Sequence, residues 1–248
     1  MPTLPPAARL YSQARRNLLP RHERLIAVAG RWQHEHLAHL GVRPEVTLRC
    51  GDIHHDAALD ISERTLARVH PGLSAPALLS VVRLPAWRPV DVLRPDARLV
   101  LVADGIEYAG NLGTLVRTLD ACAADALVLT RATARVTHPK AFAASRGMVL
   151  TTPVLTYPSI AAARSGLAAA GFTTYVADPG GATPYRSAGL GRGRTAVVVG
   201  SEGDGVSDEW RRGLPRIAIP MLGRADSLNV AVSAAVLLFE ARAVLDEQ

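Results

Sequence analysis

Residues 227–242 read SLNVAVSAAVLLFEAR and follow closely on the apolar run Ile219-Pro220-Met221-Leu222-Gly223. The pattern predicts a short strand, a loop and then a helix apolar on nearly every side, and such a helix is buried. Ser227 and Asn229 fall in its expected first turn, where their side chains can accept from free backbone N–H groups. A capped core helix accounts for any one of these residues but not for the whole string.

The chain around this stretch is long enough to bury a sizeable core. It has 248 residues, 48% of them hydrophobic, which allows one large domain or a small one plus a medium one. Aromatic residues make up only 4%, so the core must be built mainly from Ala, Val and Leu. The net charge is +6 and the isoelectric point is near 10.0, carried almost wholly by arginine. That balance favours a polyanionic partner, because cationic side chains that neutralise phosphates release counterions. Cys50 and Cys122 stand far apart in dissimilar contexts, so neither a disulfide framework nor a paired Cys-x-x-Cys metal site is readable. A reducing compartment is expected. The start, MPTLPPAARLYSQARRN, lacks an apolar stretch long enough for a signal peptide, and no apolar run approaches a membrane span. The expectation is a cytoplasmic protein without a membrane partner.

Taken in order, the chain predicts a strand at residues 24–29 and a helix at 31–40 stopped by Gly41. A strand at 46–48, a helix at 62–69 capped by Ser62 and a strand at 77–84 follow. Residues 1–88 thus form a small α/β unit. Pro85, Pro89 and Pro95 break up the next segment, and residues 89–97 are expected to be an extended linker. In residues 98–248 the alternation is more regular. Strands are expected at 99–103, 126–130, 149–154, 173–177, 195–199 and 216–219. Helices are expected at 112–123, 139–146, 159–170 and 207–213, with the last helix after Ser227. The runs LVLVA, ALVL and AVVVG are continuously apolar, as in a parallel sheet covered on both faces. Such a sheet binds ligands beyond the carboxyl ends of its strands.

Two further strings carry polar residues at strand ends. Residues 104–121, DGIEYAGNLGTLVRTLDA, pass through Gly110-Asn111-Leu112-Gly113 into a helix bearing Arg117. Glycines permit close backbone approach, and a helix start beside a guanidinium can seat a phosphate; the plainer reading is a turn capped by Asn111 with Arg117 in a salt bridge. Residues 196–207, AVVVGSEGDGVS, end a buried strand in a glycine-rich loop with Gly200, Gly203 and Gly205, and set the Glu202 carboxylate at the ligand end of the sheet. Alone, either string could be an ordinary turn.

Together the strings read N-x-G-x-x-x-R-T, then V-x-G-x-E-x-x-G, then I-P-M-x-G-x-x-x-S-L-N-V. In this order and spacing the chain resembles the SpoU (TrmH-like) RNA methyltransferases across its C-terminal region. The resemblance implies an α/β SPOUT domain with a C-terminal trefoil knot, working as a homodimer that completes the active site. It also implies a preceding L30e-like RNA-binding domain. The implied cofactor is S-adenosyl-L-methionine, lined by Gly200, Ile219, Met221 and Leu228, with Asn111, Arg117, Glu202, Ser227 and Asn229 as the polar catalytic set. The implied reaction is methyl transfer to a ribose 2'-hydroxyl of RNA, with bacterial 23S ribosomal RNA as the expected acceptor. A transfer RNA acceptor and a non-catalytic RNA-binding protein of the same fold are the alternatives. Many members have Asp-Pro where this chain has Tyr108-Ala109, a departure shared by the thiostrepton and nosiheptide resistance type, which adds antibiotic resistance to the expected roles. Ser145 and Gly147, in the Ala-Ser-x-Gly helix of the family, are expected to serve packing.

Other strings look chemical without being so. GLGRGR at 189–194 looks like a dinucleotide loop but precedes its strand. HEHLAH at 34–39 has Ala38 where a zinc site needs its second histidine, and no metal site is expected there or at His54-His55-Asp56. Arg9, Arg15, Arg16, Arg21 and Arg24 either touch phosphates or solvate an exposed face.

Overall fold

The computed structural model describes residues 3–248; Met1 and Pro2, at the head of the stretch read for a signal peptide, lie outside the described residues. The chain forms two compact units. The first comprises the chain up to Ala86 with Val136–Ala143, and the second Trp87–Arg135 with Ala144–Gln248.

The first unit contains α1 (Pro6–Arg15), β1 (Leu25–Ala29), α2 (Arg31–His39), β2 (Val46–Cys50), β3 (Ala58–Asp60), α3 (Glu63–Val69) and β4 (Ala77–Arg83). Its sheet runs β1-β4-β2-β3, with β4 antiparallel to both neighbours and β3 parallel to β2. The helix α1 was not expected from the proline-rich start, yet Pro6 sits in its first turn, where proline costs no hydrogen bond. Ala8, Tyr11 and Ala14 repeat along one side of it and are buried against Leu25, Leu48, Leu66 and Leu79. Gly41 does end α2 with φ +64°, and Ser62 caps α3 by accepting from Thr65 N at 3.3 Å. Arg24 belongs to neither reading of the basic cluster: its guanidinium donates to the carbonyls of Leu84 (3.3 Å) and Pro85, tying the start of β1 to the end of β4.

The second unit contains α4 (Pro89–Val92), β5 (Leu99–Asp104), α5 (Ala109–Ala121) and β6 (Ala126–Thr130). After α6 (Pro139–Ala144), most of which belongs to the first unit, come β7 (Val154–Thr156), α7 (Ile160–Ala169), β8 (Thr173–Ala177) and β9 (Thr183–Pro184). The chain ends with β10 (Thr195–Val199), α8 (Asp208–Arg211), β11 (Arg216–Ala218) and α9 (Val230–Asp246). The sheet order is β7-β6-β5-β10-β8-β11-β9, and every neighbouring pair is parallel. Its central strands are buried along their whole length. Val100, Val102, Val128 and Val198 face Ile160, Leu167 and Trp210. The alternate residues Leu101, Leu127 and Val197 are equally buried and face the other side, where α5 and α9 pack together over the sheet.

Four expectations are corrected. Residues 149–154 are not a strand: Met148–Leu150 form a 3-10 turn and the strand starts at Val154. Gly147 at φ +84° starts that turn, and a short buried apolar run fits turn or strand equally well. Residues 89–97 are not extended throughout, because Pro89–Val92 form one helical turn and Val92 enters the core. The last helix begins at Val230, not Ser227, with Asn229 as its N-cap. It is also not buried on every side, since Val232 and Phe239 are about half exposed.

At the carboxyl end of β5, Asp104 is wholly buried. Its Oδ1 accepts from Thr130 Oγ1 and Arg131 Nε, both at 2.9 Å, and its Oδ2 from Arg131 Nη2 at 2.8 Å and Ser207 N at 3.0 Å. Trp210 Nε1 completes the set by donating to Thr130 Oγ1 at 3.1 Å. Burial alone would raise the Asp104 carboxyl, but the hydrogen bonds from Arg131, Ser207 and Thr130 outweigh it and hold the group below the usual carboxylate range. One carboxylate thereby ties the ends of β5 and β6 to the chain leaving the β10 loop. Asp104→Asn should lose about 3 kcal/mol in urea denaturation at neutral pH. Because the folded-state value is depressed, the stabilisation is complete above the unfolded value of about 4 and lost as pH falls through the folded one. The gap between wild type and variant should therefore narrow below about pH 4.

Candidate active site

The loop after β10 is shaped by backbone contact. Ser201 and Gly205 exchange backbone hydrogen bonds, Ser201 N to Gly205 O at 3.2 Å and Gly205 N to Ser201 O at 3.0 Å. The loop thus folds back onto Gly200, where a Cβ would lie 2.0 Å from the Gly205 carbonyl carbon. Only glycine fits there, and the turn presents Glu202 at its outer end.

Glu202 meets two amides. Its Oε1 accepts from Asn111 Nδ2 at 2.7 Å and from Asn229 Nδ2 at 2.5 Å. The Asn229 side chain also accepts from Ala231 N at 2.9 Å, capping α9. Asn111 is not a cap: Tyr108 holds that position, and Asn111 lies inside the first turn of α5. The Gly110–Gly113 string therefore lies wholly within α5. At the other end of the pair, Arg242 of α9 donates to the carbonyls of Cys122 (2.8 Å), the C-cap of α5, and of Ala123 (2.6 Å) just beyond it. The two helices thus run parallel, joined at their starts through Glu202 and at their ends through Arg242.

Beside this cluster lies a cavity of about 590 Å³ lined by Gly200, Glu202, Ile219, Met221, Ser227, Leu228 and Asn229, all expected at the site. This volume is within the range of small-molecule sites. Its apolar wall is extended by Val199, Ile217 and Val230, and its polar side by Asp178, Asp204 and Asp226. Asp178 is neutralised by Arg211 and Arg216, each 3.3 Å away, and Gly180 N donates to it at 2.9 Å. Sequence reading passed over Asp178, although an acid ending a strand before Pro179-Gly180-Gly181 was a usable signal. A second, smaller pocket of about 330 Å³ shares Glu202 and Val230 and adds Asn111, Glu107 and Tyr108.

Two expected residues stand apart from the cluster. Ser227 is exposed and bonds only Asp226 Oδ1, at 3.3 Å, among the described residues. Arg117 is exposed and lines neither pocket. It follows Asn111 by six positions, which turns it about 120° away around the helix. The salt bridge imagined for it is not formed within the described residues. The histidine strings hold no metal-binding group among the described residues; His34 instead bonds Gly30 O at 2.7 Å and Ser80 Oγ at 2.9 Å. The 189–194 string is a turn, whose Gly191 packs against the Ala241 carbonyl of α9. Ser145 is fully buried, and Gly147 starts the 3-10 turn.

The double duty of Asn229 can be separated by mutation. Asn229→Ala should cost about 1 kcal/mol in urea denaturation, the value of a helix cap, whereas Asn229→Ser keeps a capping oxygen and should cost less than half of that.

Residues 98–239 match the SpoU rRNA Methylase family. Over 149 residues the chain is 35% identical to the 23S rRNA (guanosine(2553)-2'-O)-methyltransferase RlmP of Bacillus subtilis, covering 59% of this chain and 58% of that protein. It thus spans under two thirds of the length of that relative. The crystal structure of the SpoU methyltransferase AviRb from Streptomyces viridochromogenes is similar with a TM-score of 0.82 at 22% identity, over 97% of both chains. AviRb in complex with the cofactor AdoMet gives 0.80 at 23%, over 96% of this chain and 99% of that one. With the family matched across most of the second unit and the fold shared along nearly the whole chain, this protein belongs to the SpoU rRNA methylase family.

Proposed function

We propose that this chain is an S-adenosyl-L-methionine-dependent RNA 2'-O-ribose methyltransferase whose acceptor is bacterial 23S ribosomal RNA. The observation that carries the reading is the Glu202 carboxylate gripped by Asn111 and Asn229 between two pockets, one large enough for a cofactor. The relative named as a 23S rRNA methyltransferase supports the acceptor, and the Tyr108-Ala109 departure supports a resistance role. Residues 1–88 then serve as an L30e-like RNA-binding domain, joined by 89–97 to a methyltransferase domain at 98–248. The return of the chain from β11 at one side of the sheet to α9 over β5 and β10 supports a trefoil knot. No helix among the described residues is long and apolar enough to cross a membrane, and a cytoplasmic location accords with a ribosomal target.

The cavity residues fit the cofactor. Val199, Ile217, Ile219, Met221 and Leu228 offer an apolar seat for an adenine, and Glu202, Asp204 and Asp226 offer negative charge to a sulfonium. When bound, S-adenosyl-L-methionine supplies an electrophilic methyl group. Asn111 and Asn229 fix Glu202 where the two pockets meet, and so help align an acceptor hydroxyl entering from the smaller one. Arg117 clamps the phosphate next to the acceptor and stabilises the forming alkoxide, because a guanidinium stays protonated in proteins. The 2'-hydroxyl proton passes to a phosphate oxygen or to water. Since Arg117 turns away from Glu202 within one chain, a second copy brings its own Arg117 to the site. The exposed apolar side chains Val232 and Phe239 of α9 are the face on which that copy packs.

Labelled S-adenosyl-L-methionine offered with unmodified 23S ribosomal RNA should place label on a ribose, with unmodified transfer RNA as the comparison. Label in transfer RNA alone would move the acceptor, and none in either would favour a binding protein. Arg117→Ala should lower the rate by about 100-fold or more, and a near-full rate for Arg117→Lys would contradict bidentate clamping. Phe239→Glu should shift the protein from dimer to monomer in sedimentation at micromolar concentration.

A further inference from the structure

Tyr108 is the exposed aromatic beside the Glu202 cluster. The residue is 64% exposed in a chain poor in aromatics, and its hydroxyl has no partner among the described residues. Its backbone is nonetheless fixed. Tyr108 is the N-cap of α5, and its carbonyl accepts from Leu112 N at 3.0 Å. The ring is therefore attached three positions ahead of Asn111 on the same rigid turn.

The smaller pocket joins Tyr108 to Asn111 and Glu202, with Ile106 and Val230 as apolar lining and Glu107 and Asp204 as exposed carboxylates. It shares Ser201, Glu202 and Val230 with the large cavity, so what enters it meets the cofactor seat at Glu202. The carboxylates repel phosphate, whereas they accept readily from the exocyclic amino groups of bases. A planar aromatic face, an apolar floor and hydrogen-bond acceptors suit an unstacked nucleobase, which is how single-stranded RNA is commonly held.

We propose that this pocket is the subsite for the acceptor nucleotide and that Tyr108 is the platform on which its base stacks. The assignment rests on the methyltransferase reading above, and it makes Tyr108 a determinant of acceptor binding distinct from the cofactor site. Phosphates of the same RNA lie outside the acidic pocket, on the side that Arg117 serves.

The test uses the full-length protein with unmodified 23S ribosomal RNA transcribed in vitro. Tyr108→Ala should raise the KM for RNA by about 10-fold while kcat changes less and the Kd for S-adenosyl-L-methionine is unchanged. Tyr108→Phe and Tyr108→Trp should keep KM within about twofold, because both preserve a stacking face, whereas Tyr108→Leu should behave like alanine. An unchanged KM in Tyr108→Ala, or a Leu variant as good as Phe, would overturn the stacking role. Weakened cofactor binding, or a dimer turned monomer by Tyr108→Ala, would assign the ring to another surface and overturn it as well. If the wild type transfers no methyl to RNA yet binds the cofactor, the functional reading fails first and the subsite with it. Transfer by the wild type with an indifferent Tyr108 removes the subsite alone.

Discussion

The second unit turns on one carboxylate oxygen shared by two amides. Glu202 Oε1 accepts from Asn111 at the start of α5 and from Asn229 at the start of α9, and those helices come from segments more than a hundred residues apart. Holding the three together requires the β10 loop to fold flat against its own strand, which Gly200 alone permits. It also requires the two helices to run parallel in register, which Arg242 secures at the far end by donating to the Cys122 and Ala123 carbonyls where the chain leaves α5. Asp104, buried one strand over, ties β6 and the chain leaving the β10 loop to the same sheet edge. Positioning is thus done by hydrogen bonds at strand and helix ends, over a sheet whose Val and Leu core supplies rigidity.

How much of this the sequence revealed depended on what each residue answers to. Central strands such as Ala126–Thr130 and Thr195–Val199 were legible to the residue, because a continuous apolar run bounded by polar turns has few other solutions. Gly200, Ile219, Met221 and Leu228 of the cavity lining were implied by the resemblance to the family, not by periodicity. Short elements were not: Ala58–Asp60 and Thr183–Pro184 carry too few residues for a period, and β9 exists only through its pairing with β11. The start of α9 was misplaced because Ser227 and Asn229 are equally good caps in composition, and only the Ala231 hydrogen bond selects Asn229.

Arg117 shows where motif reading and one-chain geometry part. Spacing groups it with Asn111 on a single helix, yet helical rotation sends it to another side. Helix α9 is correspondingly more apolar than its own core contacts require, with Phe239 and Val232 left facing outward. Both features accord with the proposed second copy, which would cover the apolar face and bring an arginine to the Glu202 site.

The most direct measurement of that account mixes Arg117→Ala with Glu202→Ala, each expected to be deficient alone, and assays methyl transfer to 23S ribosomal RNA after subunit exchange. If each site takes Arg117 from one copy and Glu202 from the other, half of the sites in a mixed dimer are intact, and roughly a quarter of the wild-type rate returns. A mixture no faster than its parent variants would contradict a site completed between two copies.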